Sequence, residues 1–436
     1  MNLQGYRGQV LHYIDESTPQ YFADGILVID QDSGTVQDCG KSDAVLQAHP
    51  GLNVKSYQNA LIMPGLIDTH IHYPQVDVIA SYGTQLLEWL NNYTFPTEMA
   101  FENPEVAEET AEFFLNELLK NGTTTALVFG TVHKGSVDAF FKASEKRNTR
   151  MICGKVMMDR NAPEDLCDTV ETSVADTQAL IDEWHGKGRQ LYAITPRFAI
   201  TSTPEQLAAA GKLLADNPGV YMQTHLAENK DEVAFVQELF PDSKSYLDVY
   251  DQFGLLGEHS IFAHCIYLED GDYHRMNATG SKISFCPTSN LFIGSGLFRL
   301  DDQPAPVDVS VATDVGGGTS FSMLQTMNEA YKVCQLRGSN LSPQRAFYMM
   351  TLGNAAALSL DDKIGNFETG KEADFVVFDL ACTDLMKRRQ AICKNIDEIL
   401  FSLMILGDDR AVTETFVAGQ SVWRKTDEVM KVAGAH

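Results

Sequence analysis

The sequence predicts an α/β protein: a (β/α)8 TIM-type barrel of parallel strands with a small β-sandwich formed by the N- and C-terminal segments. Three observations predict it. Eight short apolar, β-branched runs recur through the middle of the chain, with helical patterns between most of them. Both ends read instead as short strands broken by turns. The uncommon polar residues of the middle fall where the proposed strands end, the edge at which such barrels collect their chemistry. A chain of 436 residues is too long for one small core and long enough for a large barrel with an accessory domain.

Taken in order, the first sixty residues hold "GILVIDQDSGTVQDCG", an apolar strand, a polar turn at Ser33-Gly34 and a second short strand. The barrel runs follow: "GLIDTHIH" (65–72), "TTTALVFG" (123–130), "RMICGKVMMD" (150–159) and "LYAITPRFA" (191–199). They continue with "VYMQTHLAE" (220–228), "SIFAHCIYL" (260–268), "KISFCPTSN" (282–290) and "VSVATDVGG" (309–317). "NPEVAEETAEFFLNELLKNG" shows why the intervals read as helices. Asn103 is an N-cap, Pro104 takes the first helical position, and apolar residues recur at Val106, Ala107, Ala111, Phe114 and Leu118 before Gly122 suits the C-terminal cap. Near the C-terminus "ADFVVFDL" (373–380) is a buried strand, and "ETFVAGQSVW" holds two short strands around Ala418-Gly419. The predicted units are 1–62, the N-terminal half of the sandwich; 63–364, the barrel; and 365–436, the C-terminal half of the sandwich with the C-terminal segment. Residues 82–98, with Trp89, Tyr93 and Phe95, interrupt the pattern and read either as a cover over a pocket or as a surface helix packed on the barrel.

An apolar fraction of 44% and a charged fraction of 21% describe an ordinary globular protein. The net charge of −26 argues against nucleic-acid or anionic-membrane binding, which needs a basic surface. No run approaches the roughly 18 to 20 apolar residues of a membrane span, and "MNLQGYRGQV" lacks a signal-peptide pattern. The eight cysteines form no CxxC pair and read as reduced thiols, so a cytoplasmic location is expected.

Seven polar residues stand at the proposed strand ends: His70 and His72, Arg197, His225 and Glu228, His264, and Asp314. Residues i and i+2 on a strand point to one face, so His70 and His72 can both aim a ring nitrogen at one ion. With His225 and Asp314 they make a nitrogen and oxygen site that suits Zn²⁺ or Fe²⁺ and leaves a position for water. Read singly, each residue has a plainer alternative. An HxH pair can be two hydrogen-bonded core histidines, His264 a structural one, Asp314 a turn residue before Gly316-Gly317-Gly318, and Arg197 a surface charge. Their shared edge is what favours the site. Asp68 is assigned support rather than ligation, and His133, after the second strand, is read as structural.

The residues "PGLIDTHIH", "THLAE", "AHC", "ATDVGGG" and "IGNFETGKEADFVVFD", in that order, resemble the amidohydrolase superfamily over nearly the whole chain. "HYPQ", "SYGTQLLEWLNNYTFPTE", "TPRFAITST" and "SFCPTSNLFIGSG" narrow the resemblance to its guanine-deaminating branch. That resemblance implies guanine and water as substrates, xanthine and ammonia as products in purine catabolism, one divalent metal per subunit (Zn²⁺ before Fe²⁺), and a homodimer. It implies His70, His72, His225 and Asp314 as metal ligands, with His264 beside the water. Gln75, Arg197, Phe198, Glu228 and His264 would bind the purine, with Glu228, Asp314 and His264 catalytic. Binuclear relatives carry a bridging lysine where this chain has "TPRFA", so a mononuclear site is expected; Lys155, inside the third strand, is a poor substitute.

The alternatives are another aminohydrolase of the superfamily, acting on adenosine-type, S-adenosylhomocysteine or triazine and pterin substrates, or a barrel scaffold without catalysis. "TPRF" and "EWLNNYTFPTE" argue for guanine, and retention of every candidate ligand argues against the scaffold. The HxE…PCxxC pattern of the other zinc deaminase fold is absent.

Overall fold

A computed structural model describes residues 2–82 and 85–425 of the chain. Four strands open it: β1 (Leu3–Tyr13), β2 (Pro19–Asp30), β3 (Thr35–Lys41) and β4 (Asn53–Pro64). The barrel follows with β5 (Leu66–His72), β6 (Thr123–Phe129), β7 (Arg150–Gly154), the two-residue β8 (Val156–Met157), β9 (Leu191–Pro196) and β10 (Tyr221–Leu226). It continues with β11 (Ser260–His264), β12 (Lys282–Phe285) and β13 (Val309–Val311), and β14 (Phe375–Asp379), β15 (Val412–Val417) and β16 (Gln420–Arg424) close the described chain. Among the described residues no helix is long and apolar enough to cross a membrane.

All eight apolar runs of the middle become barrel strands, each parallel to its neighbour from β5 to β13. β7 and β8 belong to one run interrupted at Lys155, and both pair with β9. Some strands end earlier than the apolar runs do. The run 282–290 is extended only to Phe285, because Pro287 starts the helix Pro287–Phe292 at the position where a missing N–H costs nothing. The helix Pro104–Lys120 forms as its sequence predicts. Asn103 Oδ1 accepts from the Glu105 N–H at 3.0 Å, and Ala107, Ala111, Phe114 and Leu118 face the barrel. Gly122 follows at φ +81°, where an added Cβ would lie 2.8 Å from Val376.

The two chain ends meet in one seven-stranded mixed sheet, ordered β16-β15-β14-β4-β1-β2-β3. β4 is the joint: it pairs parallel with β1 and antiparallel with β14. Tyr6, Phe375 and Phe416 pack ring on ring across it, the last two stacked at 4.1 Å. This sheet is tied to the starting ends of the barrel strands. Arg150 and Arg189 both bind Glu372, and Arg189 also binds Asp374, just before β14.

Inside the barrel, Ile67, Leu127, Ile152, Ala193, Tyr221 and Ile261 form an apolar lower layer with Leu358 and Leu360. Above it the interior turns polar. Thr69 Oγ1 meets the Ser284 and Ser310 hydroxyls at 2.7 and 2.8 Å, and Gln223 Nε2 donates to Thr195 Oγ1 at 3.0 Å. The seam between β5 and the end of β13 is closed by backbone bonds from the Asp314 N–H to the His70 carbonyl (3.0 Å) and the His72 N–H to the Val315 carbonyl (2.8 Å).

Candidate active site

Strict alternation along β5 does not bring the two histidines inward. Ile67 lies in the barrel's lower layer and Thr69 in the polar layer above it, so an unbroken strand would turn Ile71 inward next. The register of β5 against β6 shifts between Asp68 and Ile71. Such an irregularity re-aims the side chains beyond it. Ile71 packs outward in the large core, and His70 and His72 converge on the axis. Asp68 is left at the seam, fully buried, accepting from Thr313 Oγ1 at 2.5 Å and from the N–H groups of Thr313 (3.2 Å) and His70 (3.3 Å). It braces the loop that carries Asp314 and stays out of the ligand cluster.

His70 Nε2 and His72 Nε2 lie 3.2 and 3.4 Å from Asp314 Oδ1, and the Nε2 atoms of His72 and His225 are 3.2 Å apart. Donors at about 2.0–2.2 Å from a tetrahedral ion are about 3.3–3.6 Å from one another. These three separations are close to that spacing. His264 stands one step out, its Nε2 3.7 Å from Asp314 Oδ2 and 3.4 Å from Glu228 Oε2. The four donors that lie within 4.8 Å of one another are His70, His225, His264 and Asp314; His72 stands outside that group, with its Nε2 3.4 Å from Asp314 Oδ1.

The surroundings set the state of each ligand. His225 Nδ1 lies 2.8 Å from the Arg197 carbonyl, which fixes the proton there and turns the Nε2 lone pair inward. His264 Nδ1 is fixed in the same way by Asn290 Oδ1 at 2.8 Å. The Nε2 atoms of His70 and His264 are buried beside Asp314 and Glu228 without a hydrogen bond, which leaves them open to an ion or a substrate atom. Burial lowers His70, lowers His72 to about 3 and holds His225 well below its usual value, so all three are the neutral imidazoles that ligation needs. Burial opposes ionisation of Asp314, yet His70, His72 and His264 hold it well below the usual carboxylate range. Burial, and then Asp314, push Glu228 up to about 8, so its carboxyl carries a proton at neutral pH.

Non-glycine residues in the left-handed region cluster here: Ala227 (φ +50°), His264 (+70°), Cys265 (+53°) and Asp314 (+52°). At Ala227 the chain leaves β10 and swings Glu228 toward the cavity. The Glu232 carboxylate accepts the N–H groups of Glu228 (2.8 Å) and Asn229 (3.0 Å), and Ser295 Oγ donates to Glu228 Oε1 at 2.8 Å.

One cavity joins this cluster to Gln75, Arg197 and Phe198. Leu86, Trp89 and Leu90 form part of its wall, so the segment after β5 both covers the pocket and packs its aromatics on the barrel; positions 83 and 84 of that segment lie outside the described residues. His133 stands just before the helix Lys134–Arg147, without a side-chain cap bond, and does not line the cavity. Lys155 is fully buried against Asp168 at 2.5 Å, away from the ligands.

Sequence reasoning missed several residues at the site. Glu98, wholly buried, accepts from both Arg197 Nη1 (2.7 Å) and Gln75 Nε2 (3.0 Å). A carboxylate inside the aromatic stretch "WLNNYTFPTE" was the available signal. Asn290, Ser295 and Glu232 act through other side chains, and no local pattern marks them. Gly317 lines the cavity where a Cβ would meet Ser289 Oγ at 2.6 Å.

Residues 61–422 match the model of the amidohydrolase family. The guanine deaminase of Escherichia coli (strain K12) is 52% identical over 94% of this chain and 93% of the relative. The solved structure of an E. coli guanine deaminase superposes with a TM-score of 0.94 at 50% identity, covering 98% of this chain and all of that one. A guanine deaminase from C. acetobutylicum, solved with guanine in its active site, superposes with a TM-score of 0.86 at 29% identity over 97% of this chain and all of that one. A family match over most of the chain and a barrel that gathers histidines and an aspartate at one mouth lead to the same statement: this chain belongs to the amidohydrolase family.

Proposed function

We propose that this chain is a guanine deaminase: it replaces the C2 amino group of guanine with oxygen from water and yields xanthine and ammonia, a step of purine breakdown. The observation that carries the reading is a single cavity in which His72, His225, His264, Asp314 and Glu228 face Arg197 and Gln75. The likeness to guanine deaminases over almost the full chain supports the same substrate. On this reading residues 63–364 are the catalytic barrel, flanked by segments 1–62 and 365–436, from which the terminal sheet is drawn.

His70, His72, His225 and Asp314 would hold one divalent ion, Zn²⁺ ahead of Fe²⁺, since three imidazoles and a carboxylate suit either. When bound, that ion supplies Lewis acidity that can lower the pKa of water to about 7. Asp314, ionised and next to the water, takes its proton. His264, its Nδ1 proton held by Asn290, orients the attacking oxygen through Nε2. Glu228 delivers a proton to ring N3 as C2 is attacked and then serves the leaving amine. Arg197 offers its fork to the O6 and N7 acceptors, Gln75 reads the base edge, and Phe198 supplies a stacking face. Arg197 and Glu98 bury each other's charge, so this pair gives the cavity wall hydrogen-bond donors without net charge.

Turnover of guanine to xanthine by the protein as isolated, after chelation and after adding back Zn²⁺ or Fe²⁺, tests the reading. The expected result is about one equivalent of metal per chain, with activity lost on chelation and restored by metal. Turnover of adenosine, S-adenosylhomocysteine or a triazine with none of guanine would move the assignment to another aminohydrolase. Size-exclusion chromatography and fractionation check the homodimer and the cytoplasmic location that accompany it.

A further inference from the structure

Glu98 is a wholly buried carboxylate to which the chemistry above gives no step. It sits in the helix Phe95–Met99 and touches both residues assigned to reading the purine. Its Oε1 accepts from Gln75 Nε2 at 3.0 Å and its Oε2 from Arg197 Nη1 at 2.7 Å. The Gly316 N–H reaches the other end of the Gln75 amide at 3.4 Å, and the Phe95 ring lies 5.4 Å from the Arg197 guanidinium carbon. The amide and the guanidinium are therefore held in one orientation before any ligand arrives, which lowers the ordering cost of binding.

The charge has a second consequence. A lone guanidinium in a dry cavity attracts anions, whereas one paired with a carboxylate presents hydrogen-bond donors and little net charge. Guanine is neutral. Xanthine is the stronger acid and is partly anionic in mildly alkaline water. We propose that Glu98 is a positioning residue that sets specificity: it fixes Gln75 and Arg197 and cancels the Arg197 charge, so that the cavity accepts neutral guanine and releases anionic xanthine. The proposal rests on the deaminase reading given above.

The test compares the unchanged enzyme with Glu98→Gln and Glu98→Asp, all metal-loaded, in one mildly alkaline buffer. Calorimetry gives Kd for xanthine and for hypoxanthine, a neutral purine with the same O6 and N7. In Glu98→Gln the ratio of Kd for xanthine to Kd for hypoxanthine falls about tenfold or more, because the buried charge is no longer balanced. Guanine KM rises by a larger factor than kcat falls. Glu98→Asp keeps the charge, so both ligands bind more weakly while the ratio stays within about threefold of the unchanged enzyme. A folded Glu98→Gln with an unchanged ratio overturns the proposal, as does Glu98→Asp with the ratio collapsed. Where Glu98→Gln gives no cooperative melt, Glu98→Asp alone decides: a kept ratio supports the proposal and a lost one overturns it. Failure of the unchanged enzyme to turn over guanine sinks the deaminase reading instead, and the binding ratio is measured independently of turnover.

Discussion

Two clusters of buried charge occupy opposite ends of this barrel, and they are satisfied in opposite ways. At the starting ends of the strands, Arg189 donates to Glu372, to Asp374 and to the Asn148 carbonyl, and Arg150 donates to Glu372. Asp374 also accepts the Ala418 N–H at 2.8 Å. Burial favours neither charge, yet the partners hold Glu372 below and Arg189 above their usual ranges. At the other end the Nε2 atoms of His70 and His264 have no hydrogen bond, and Glu228 is driven toward its neutral form. A closed network binds the terminal sheet to the barrel. An open one leaves unmet valence for a ligand.

The contrast predicts that variants at the two ends fail differently. The largest effect belongs to the open end. Asp314→Asn or His225→Ala should lose bound metal and lower kcat/KM by about 10³-fold or more, since the Lewis acid goes in both and the proton acceptor also goes in Asp314→Asn; metal analysis beside kinetics checks it. Glu228→Gln should lower kcat by about 10²–10⁴-fold with metal content intact and melting temperature unchanged or higher. A clear loss of stability there would break the comparison.

At the closed end the order reverses. Glu372→Ala leaves Arg150 and Arg189 buried without their shared partner and should cost about 3–5 kcal/mol of stability, read by denaturant unfolding, while kcat per folded molecule stays the same. A smaller effect separates orientation from chemistry. Asn290→Leu frees the His264 ring and should lower kcat about 10- to 100-fold without changing metal content. The last acts on stability alone: a pH effect in the terminal sheet. Burial lowers His12 to about 4 against 6.5 when exposed. The folded state thus binds fewer protons between those values, so the contribution is complete above 6.5 and is lost as pH falls toward 4, up to about 3 kcal/mol. His12→Gln should flatten that part of the stability curve.

The fold was widely legible in the sequence because buried parallel strands are continuous apolar runs and the helices between them carry their own caps. Asn103 with Pro104, and Gly122 after the helix, are local signals that the structure repeats. The short end of β12 was less legible: "KISFCPTSN" reads as one run, and the fixed φ of Pro287 starts a helix inside it. At the site, the histidines, Glu228 and Asp314 stand out because such groups are rarely buried without a task. Glu98, Asn290 and Ser295 do not, since their partners lie 23 to 99, 26 and 67 residues away in the chain.

By itself the sequence determined which residues can do chemistry and which edge of the barrel they share, because strand period and residue type are local properties. The tertiary structure decided how they are aimed. The register shift in β5 turns His70 and His72 inward together and leaves Asp68 on Thr313, and one carboxylate from the segment after β5 orients both Gln75 and Arg197. Those choices depend on strand neighbours and on charges that meet only when the barrel closes, and no spacing along the chain encodes a contact made across it.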